Sequence, residues 1–582
     1  MKSRTFFTAI ALIAGFIFVA GIAGFWGLTA QNPRALLARG GQEVPTAAQF
    51  VPRQAPAMVS LLARPDRLWQ LRQIFTSPGE RFQARQEWQS LQTTVTDAFG
   101  WDYDADVRPW LDQELTIAVT SDDLDHDDSN GQQTGYLVVL SCRDGQKARE
   151  AIHLLWQKRA ISGKKLVFET ISGIPLIYDQ KSITTTFENV NRPTLTSIAL
   201  ESLASAVIGD RYVLLANHPQ VLRQAIATFQ APDVSLARES SYRAALQSLS
   251  PNRIGWLYAN APTLLSWLGL EDADSLPMAG LDGRRAHHIF VSFRATESGL
   301  LGDVALAAAP GTVFETTHAT LQQPAQVLGL MPEVTRFVIS GNDLAHFLSE
   351  TATNIKGYPV VQRSLDTFWA SLPLPTDTVS VTLWDSIQGE YALGMLADTT
   401  PSWLLAAQVN TIDPFNSIDD LAQQQGLNIS HVSLGDQDII AWTKLSLVLS
   451  NPEGLASLNT QVVGVHTQIN GYEVFSTSLS GLQQVLRIDE NHPSLMAQPT
   501  FAQLADRVNS PYNSLVYIDW PHLAPNLRNR FPWLRLIEQA GQPLTVHLGP
   551  IFTAGQNSNS SLQEGVIAIN LVNNLKDFQS MN

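Results

Sequence analysis

The sequence predicts an α+β protein: an N-terminal transmembrane helix followed by two tandem homologous α+β repeats with antiparallel or mixed sheets. Three observations predict it. Residues 6–26 form an apolar run without charge. Four collinear patches of the remaining chain recur at an almost constant offset. Within each copy, β-rich runs alternate with stretches of helical spacing. These observations divide the chain into an anchor (1–28), a tether (29–48), a first repeat (49–310), a linker (311–326), a second repeat (327–573) and a tail (574–582).

The anchor comes first. Residues 6–26 contain one hydroxyl, Thr8, and no ionisable group. At about 1.5 Å per residue they make roughly 32 Å of helix, against a hydrocarbon core of about 30 Å. Lys2 and Arg4 precede the run and Arg34 and Arg39 come after it, so the charge bias is nearly balanced. A short basic N-terminus favours export of the downstream chain. A signal peptide cleaved after Leu28-Thr29-Ala30 is the rival, but its apolar region is usually shorter, about 7–15 residues. No Cys stands directly after the run, which excludes a lipid-modified Cys there. Ala11 with Gly15 and Ala20 with Gly24 are small pairs of the kind that lets helices approach. The expected topology is a single-pass membrane protein with its body outside the cytoplasm. Residues 29–48 lack periodicity and read as the tether.

The duplication rests on matched residues. Ser235-Leu236 matches Ser494-Leu495 at an offset of 259, and at that offset Tyr242 meets Phe501, Tyr258 meets Tyr517, Pro262 meets Pro521 and Leu264 meets Leu523. Upstream the offset is 260, where Tyr212 meets Tyr472, Leu222 meets Leu482 and Gln224 meets Gln484. Farther upstream Val51-Pro52 echoes Met331-Pro332, and at the far end Leu300 and Val304 meet Leu562 and Val566 at 262. In the first copy, residues 57–62, 114–120, 135–141, 165–170, 174–178, 211–216, 255–258 and 289–293 read as strands. Residues 65–75, 81–99, 146–159 and 219–228 read as helices. Ala148, Ile152, Leu155 and Trp156 share one helical face.

Composition narrows the function classes. The formal net charge is −15 and the basic residues are scattered, which excludes nucleic acid and an electrostatic hold on anionic lipid heads. The single cysteine, Cys142, allows no internal disulfide and reads as a small buried hydrophobe at a strand end. The sharpest polar cluster runs from Asp122 to Gly131. Asp123, Asp125 and Asp127 are the metal candidates, because hard cations take several oxygens at once. Counted from Asp123, however, Asp128 stands where a calcium loop needs Gly and Thr134 where it needs Glu. The cluster therefore reads first as a solvated hairpin insertion. His287 and His288 are adjacent on a probable strand, where neighbours point to opposite faces and do not chelate one ion. None of the H-E-x-x-H, G-x-S-x-G, Walker A or G-x-G-x-x-G patterns occurs. No catalytic residue and no cofactor is predicted.

The passage Phe50-Val51-Pro52, Ala55 to Leu62 and Pro65-Asp66-Arg67-Leu68 resembles the opening of a cyanobacterial family of uncharacterised membrane-anchored proteins. The resemblance implies an N-terminal anchor contacting the lipid bilayer and a body on the periplasmic or thylakoid-lumen side; it implies no activity. The expectation is then a membrane-anchored, extracytoplasmic, non-enzymatic interaction or assembly factor, a scaffold for membrane protein complexes. The competing expectation is a hydrolase or ligand-binding protein with its site at the junction of the two repeats.

Overall fold

A computed structural model describes residues 40–67, 89, 101–125, 133–179, 203–268, 286–296, 299–317, 320–355, 358–369, 387–397, 402–408, 419–420, 422–424, 426–434, 437–449, 456–508, 511–530 and 548–571. Twenty strands join in one sheet. The first ten are β1 (Ala57–Leu61), β2 (Leu111–Ser121), β3 (Gly135–Cys142), β4 (Leu166–Ile171), β5 (Ile174–Asp179), β6 (Ala204–Ile208), β7 (Tyr212–Ala216), β8 (Gly255–Asn260), β9 (Ala286–Thr296) and β10 (Gly299–Ala308). The second ten are β11 (Thr335–Asp343), β12 (Gln388–Leu396), β13 (Ser402–Gln408), β14 (Asn428–Leu434), β15 (Gln437–Leu449), β16 (Ala456–Ile469), β17 (Tyr472–Ser476), β18 (Ser514–Ile518), β19 (Leu548–Ser558) and β20 (Leu562–Leu571).

The pairings give the spatial order β4-β5-β6-β7-β3-β2-β1-β8-β9-β10 through the first ten strands. It continues β20-β19-β18-β11-β12-β13-β17-β16-β15-β14 through the second ten. Every ladder is antiparallel, and the two sets meet at β10 and β20. Taken from either end of the sheet, the order is the same. The register at the seam is centred: Val304 lies opposite Gly565 and Asp303 opposite Val566. Val304 and Val566 are matched in sequence, so a pseudo-twofold axis passes through the seam.

The structure corrects the expected architecture, which had two repeats, each with its own antiparallel or mixed sheet, behind a membrane-spanning helix. There is one continuous sheet, antiparallel throughout. The seam is a nine-pair main-chain ladder, Gly299↔Asn570 to Ala307↔Leu562. Of residues 311–326, expected as a linker, Thr317 bridges Ser558 and Leu321 bridges Tyr512, both in the second half. Residues 40–48, expected within the tether, are packed, with Ala47 and Ala48 fully buried.

The single-pass membrane placement is corrected as well. Among the described residues no helix is long and apolar enough to cross a membrane. Residues 6–26 lie outside the described residues. The helix α1 (Gly145–Ile161) has 17 residues and carries Lys147, Arg149, Glu150, Lys158 and Arg159; it is a sheet-packing helix, not a spanning one.

The same segments meet within each half. Leu236 N donates to Val51 O and Leu495 N to Met331 O, at 2.8 and 2.7 Å. Pro52 bridges Ser235 as Pro332 bridges Ser494. Tyr258 lies between Met58 and Phe290, and Tyr517 between Val338 and Phe552. Helices α2 (Pro219–Gln230), α3 (Ser240–Ser248) and α4 (Ala261–Trp267) come next in the first half. The second half has α5 (Leu344–Asn354), α6 (Pro359–Trp369), α7 (Leu479–Leu486), α8 (Pro499–Arg507) and α9 (Trp520–Arg530). His218 and Ser478 cap the N-termini of α2 and α7, each accepting from the backbone two or three residues on.

Both faces of the sheet are apolar. On one face Met58, Tyr258 and Phe290 join Leu222, Leu236 and Tyr242, and the corresponding cluster of the second half holds Val338, Tyr517, Phe552, Leu482 and Phe501. On the other face Leu61, Ile117 and Phe293 pack with Leu300 and Ile569 across the seam. Burial on both sides explains why strands such as Tyr136–Ser141 read as unbroken apolar runs rather than as a two-residue alternation.

Candidate functional site

The densest buried ionisable cluster among the described residues lies near the β14 end of the sheet. It starts from a local signal. Asn470 and Gly471 have φ of 53° and 84°, the pair of positive values that a two-residue type I′ hairpin needs and that Asn-Gly supplies at little strain. This turn fixes the β16–β17 register at Ile469↔Tyr472, which places His466 opposite Phe475 and diagonal to Glu473. His466, Glu473, Phe475 and Trp442 share the face away from α7, whose Leu482 packs with Val465 and Val474.

His466 Nδ1 lies 2.8 Å from Glu473 Oε1, and Nε2 lies 3.1 Å from Asp419 Oδ1. Trp442 Nε1 donates to the same Asp419 oxygen at 2.6 Å. The His466 and Glu473 side chains are each 3 % exposed and that of Asp419 13 %. Burial pushes the imidazole down, but the bonds to Glu473 and Asp419 lift it above its ordinary value. The other Glu473 oxygen, Oε2, is buried without a hydrogen-bond partner. In its protonated form the ring can donate to both carboxylates at once, one from each nitrogen.

A second polar contact lies in the first half. Ser241 Oγ is 2.8 Å from His288 Nδ1. His288 is buried against Tyr258 and Phe290, and burial followed by the neighbouring His287 drives its pKa down to about 3. This imidazole is neutral and walled by aromatic rings. The two histidine rings also touch, with centroids 4.6 Å apart.

A buried carboxylate and a half-buried one hold chain segments. Glu114 on β2 accepts from Thr46 N at 2.8 Å, Ala47 N at 2.9 Å, and the Thr46 and Thr116 hydroxyls. Burial raises its pKa although these bonds pull it back. Glu390 on β12 accepts from Val327 N and the Tyr472 hydroxyl. A third, Asp179, pairs with buried Arg159, whose Nε lies 3.1 Å from Oδ2.

The acidic loop is partly engaged. Asp123 Oδ1 accepts from Gln133 N and Asp125 Oδ2 from Gln133 Nε2, at 2.9 and 2.6 Å. Asp127 lies outside the described residues. Among the described residues no group of three or more His, Cys, Asp or Glu side chains is placed to hold a metal ion. Burial pushes the Cys142 thiol up to about 12, which makes it a poor nucleophile. The anchor pairs at Ala11, Gly15, Ala20 and Gly24 also lie outside the described residues. Sequence reasoning missed His466, Glu473 and Asp419, because the three are 7 to 54 positions apart. The Asn470-Gly471 turn was the one signal that pairs two of them.

Fold and site together define a large antiparallel-sheet protein with doubled strand connectivity and buried charge clusters. The chain belongs to the family described as protein of unknown function, DUF3352, whose model matches residues 10–571. No curated protein matches it. Among solved structures, crystal form I of TP0453 aligns over 45 % of this chain and 97 % of its own, at 10 % identity and a TM-score of 0.23.

Proposed function

We propose that this protein is a non-enzymatic interaction or assembly factor for protein complexes. The observation that carries the reading is the open sheet. Among the described residues β4 pairs only with β5 and β14 only with β15, so two strand edges offer main-chain groups for an added strand. Phe168 on β4 and Val432 on β14 are 71 % and 42 % exposed. The acidic net charge disfavours nucleic acid as the partner. At the seam the described side chains are largely apolar, with Ala305, Ala307 and Leu562 on one face and Leu300 and Ile569 on the other.

One observation favours the hydrolase alternative, the Ser241–His288 contact. Two labels separate the readings. Photo-crosslinkers replacing Phe168 and Val432 should capture a protein partner that a crosslinker in a loop away from both edges does not. A fluorophosphonate probe should leave Ser241 unlabelled. Labelling of Ser241 that vanishes in Ser241→Ala overturns the non-enzymatic reading.

A further inference from the structure

We propose that His466 is a protonation-dependent latch that closes the helical residues around Asp419 onto the β14 end of the sheet. The proposal is independent of partner binding and is read on the chain alone.

The geometry requires two protons on one ring. Both ring nitrogens face carboxylate oxygens, and a carboxylate only accepts. A neutral imidazole has one N–H and can satisfy one of the two contacts; the imidazolium satisfies both. When the proton leaves, a nitrogen lone pair faces a carboxylate. Glu473 has no slack with which to adjust, since it is 2 % exposed and its second oxygen already lacks a partner. Asp419 is the more exposed acid, so the Asp419 side gives way.

Asp419 sits where release has consequences. Its oxygen joins His466 on β16 and Trp442 on β15. The residues just after it are held by Ala422, fully buried against the same cluster, and lead through Leu427 into β14. Gly426 N and Leu427 N bond back to Gln423 O and Ala422 O, contacts within the segment itself. Leu427 and Ile429 also pack against the cluster, so the Asp419 contact adds to an apolar hold on this stretch, and its loss weakens that hold. Opening it loosens the chain that leads into β14, while the β14–β15 ladder, Asn428↔Thr443 to Leu434↔Gln437, stays in place.

Among the described residues the charged groups facing the ring include Glu473 from β17 and Asp419 from the helical residues, with Asp420 adjacent in sequence. Strand β15 presents Trp442, and Ile440 opposite in register. Helix α7 lies on the other face of β16 and has no charged residue. The imidazole is raised above its ordinary value. A raised basic group supports the closed form fully below the open-state value, about 6.5, and that support is lost as pH rises through the closed-state value. The latch therefore closes in acid and opens as pH rises past the raised closed-state value.

Hydrogen exchange on the full chain from about pH 6 to about pH 9, corrected for intrinsic rates, tests it. Protection of peptides spanning 419–427 should fall with a midpoint above the ordinary histidine value. The fall is about tenfold for each unit by which the closed state raises His466. Peptides from β1 and β8 should not change with it. The His466 ring resonance should titrate at the same midpoint. His466→Gln should remove the pH dependence. Should that variant fail to fold, Asp419→Asn, at the rim, should shift the His466 midpoint down toward the ordinary value. Flat protection across the window, a His466 midpoint at or below the ordinary value, or an unchanged fall in the variants overturns the latch.

Discussion

At the scale of single residues, Glu114 and Glu390 are positional devices. Glu114 turns the 3-10 turn Thr46–Phe50 onto β2 by accepting the two backbone N–H groups, Thr46 and Ala47, that such a turn leaves unpaired at its start. Glu390 does the same for Val327 at the corresponding turn, Gln326–Leu330, with fewer bonds. An amide in place of Glu114, both of whose oxygens accept, turns one acceptor into a donor facing an N–H group, whereas both Glu390 bonds fall on one oxygen, which an amide can keep as an acceptor. Glu114→Gln should lower stability by about 2 kcal/mol and Glu390→Gln by less than about 1 kcal/mol. Urea denaturation of the two variants tests this, and equal losses would contradict the unequal bonding. Asp179 and Arg159 form a different kind of device, an ion pair whose partners are 5 % and 7 % exposed. Each charge offsets the cost of burying the other.

At the scale of elements, the β2–β3 connection separates into an anchored base and a remainder. Leu124 is 7 % exposed and packs in the core of the first half, and its carbonyl accepts from Gln220 Nε2 at 3.2 Å. Asp122 and Asp123 bond Ser266 and Gln133. Replacing residues 126–132 with a short Gly/Asn turn should leave the melting temperature unchanged or slightly higher, because like charges and loop length are both reduced. Leu124→Ala should cost about 2–3 kcal/mol. A melting curve of each variant, with calcium and with chelator, distinguishes them. A calcium-dependent rise present in the parent and absent from the shortened variant would identify the loop as a cation site.

At the scale of the whole molecule, one seam joins the two halves of the sheet. Its close approach depends on glycine: a Cβ on Gly299 would lie 2.0 Å from the Ile569 carbonyl oxygen, and one on Gly302 2.8 Å from an Ile567 methyl. The seam also carries the cluster in which Leu300 and Ile569 pack with Leu61 and Phe293. A main-chain ladder and a shared core couple the halves, so the parent should unfold without separating them. Gly299→Val with Gly302→Val should push β10 from β20 and split the calorimetric transition into two, one per half. A single transition, merely shifted down, would show that the halves are coupled elsewhere.

Much of the local structure was legible in the residues. The apolar runs at 57–62, 135–141 and 211–216 are strands, and the shared face of Ala148, Ile152, Leu155 and Trp156 is the buried face of α1. These arise from periodicity, which is a property of neighbours along the chain. The collinear matches likewise mark positions that recur in the structure, since Tyr258 and Tyr517 pair with the equivalent strands. What periodicity does not carry is which strand edge meets which. That β10 pairs with β20, making one antiparallel sheet of two expected ones, depends on residues more than 250 positions apart and on glycines whose role is only to be small. The same holds for the site. The Asn470-Gly471 turn fixes His466 diagonal to Glu473 by local geometry alone. Asp419 reaches them only because the sheet brings β14, β15 and β16 side by side. The sequence by itself determined the elements and the hairpin register, which are set by short-range sterics and alternation. Only the tertiary structure decided the single sheet and the meeting of His466 with Asp419, because both are made by long-range contacts whose partners carry no mark of each other.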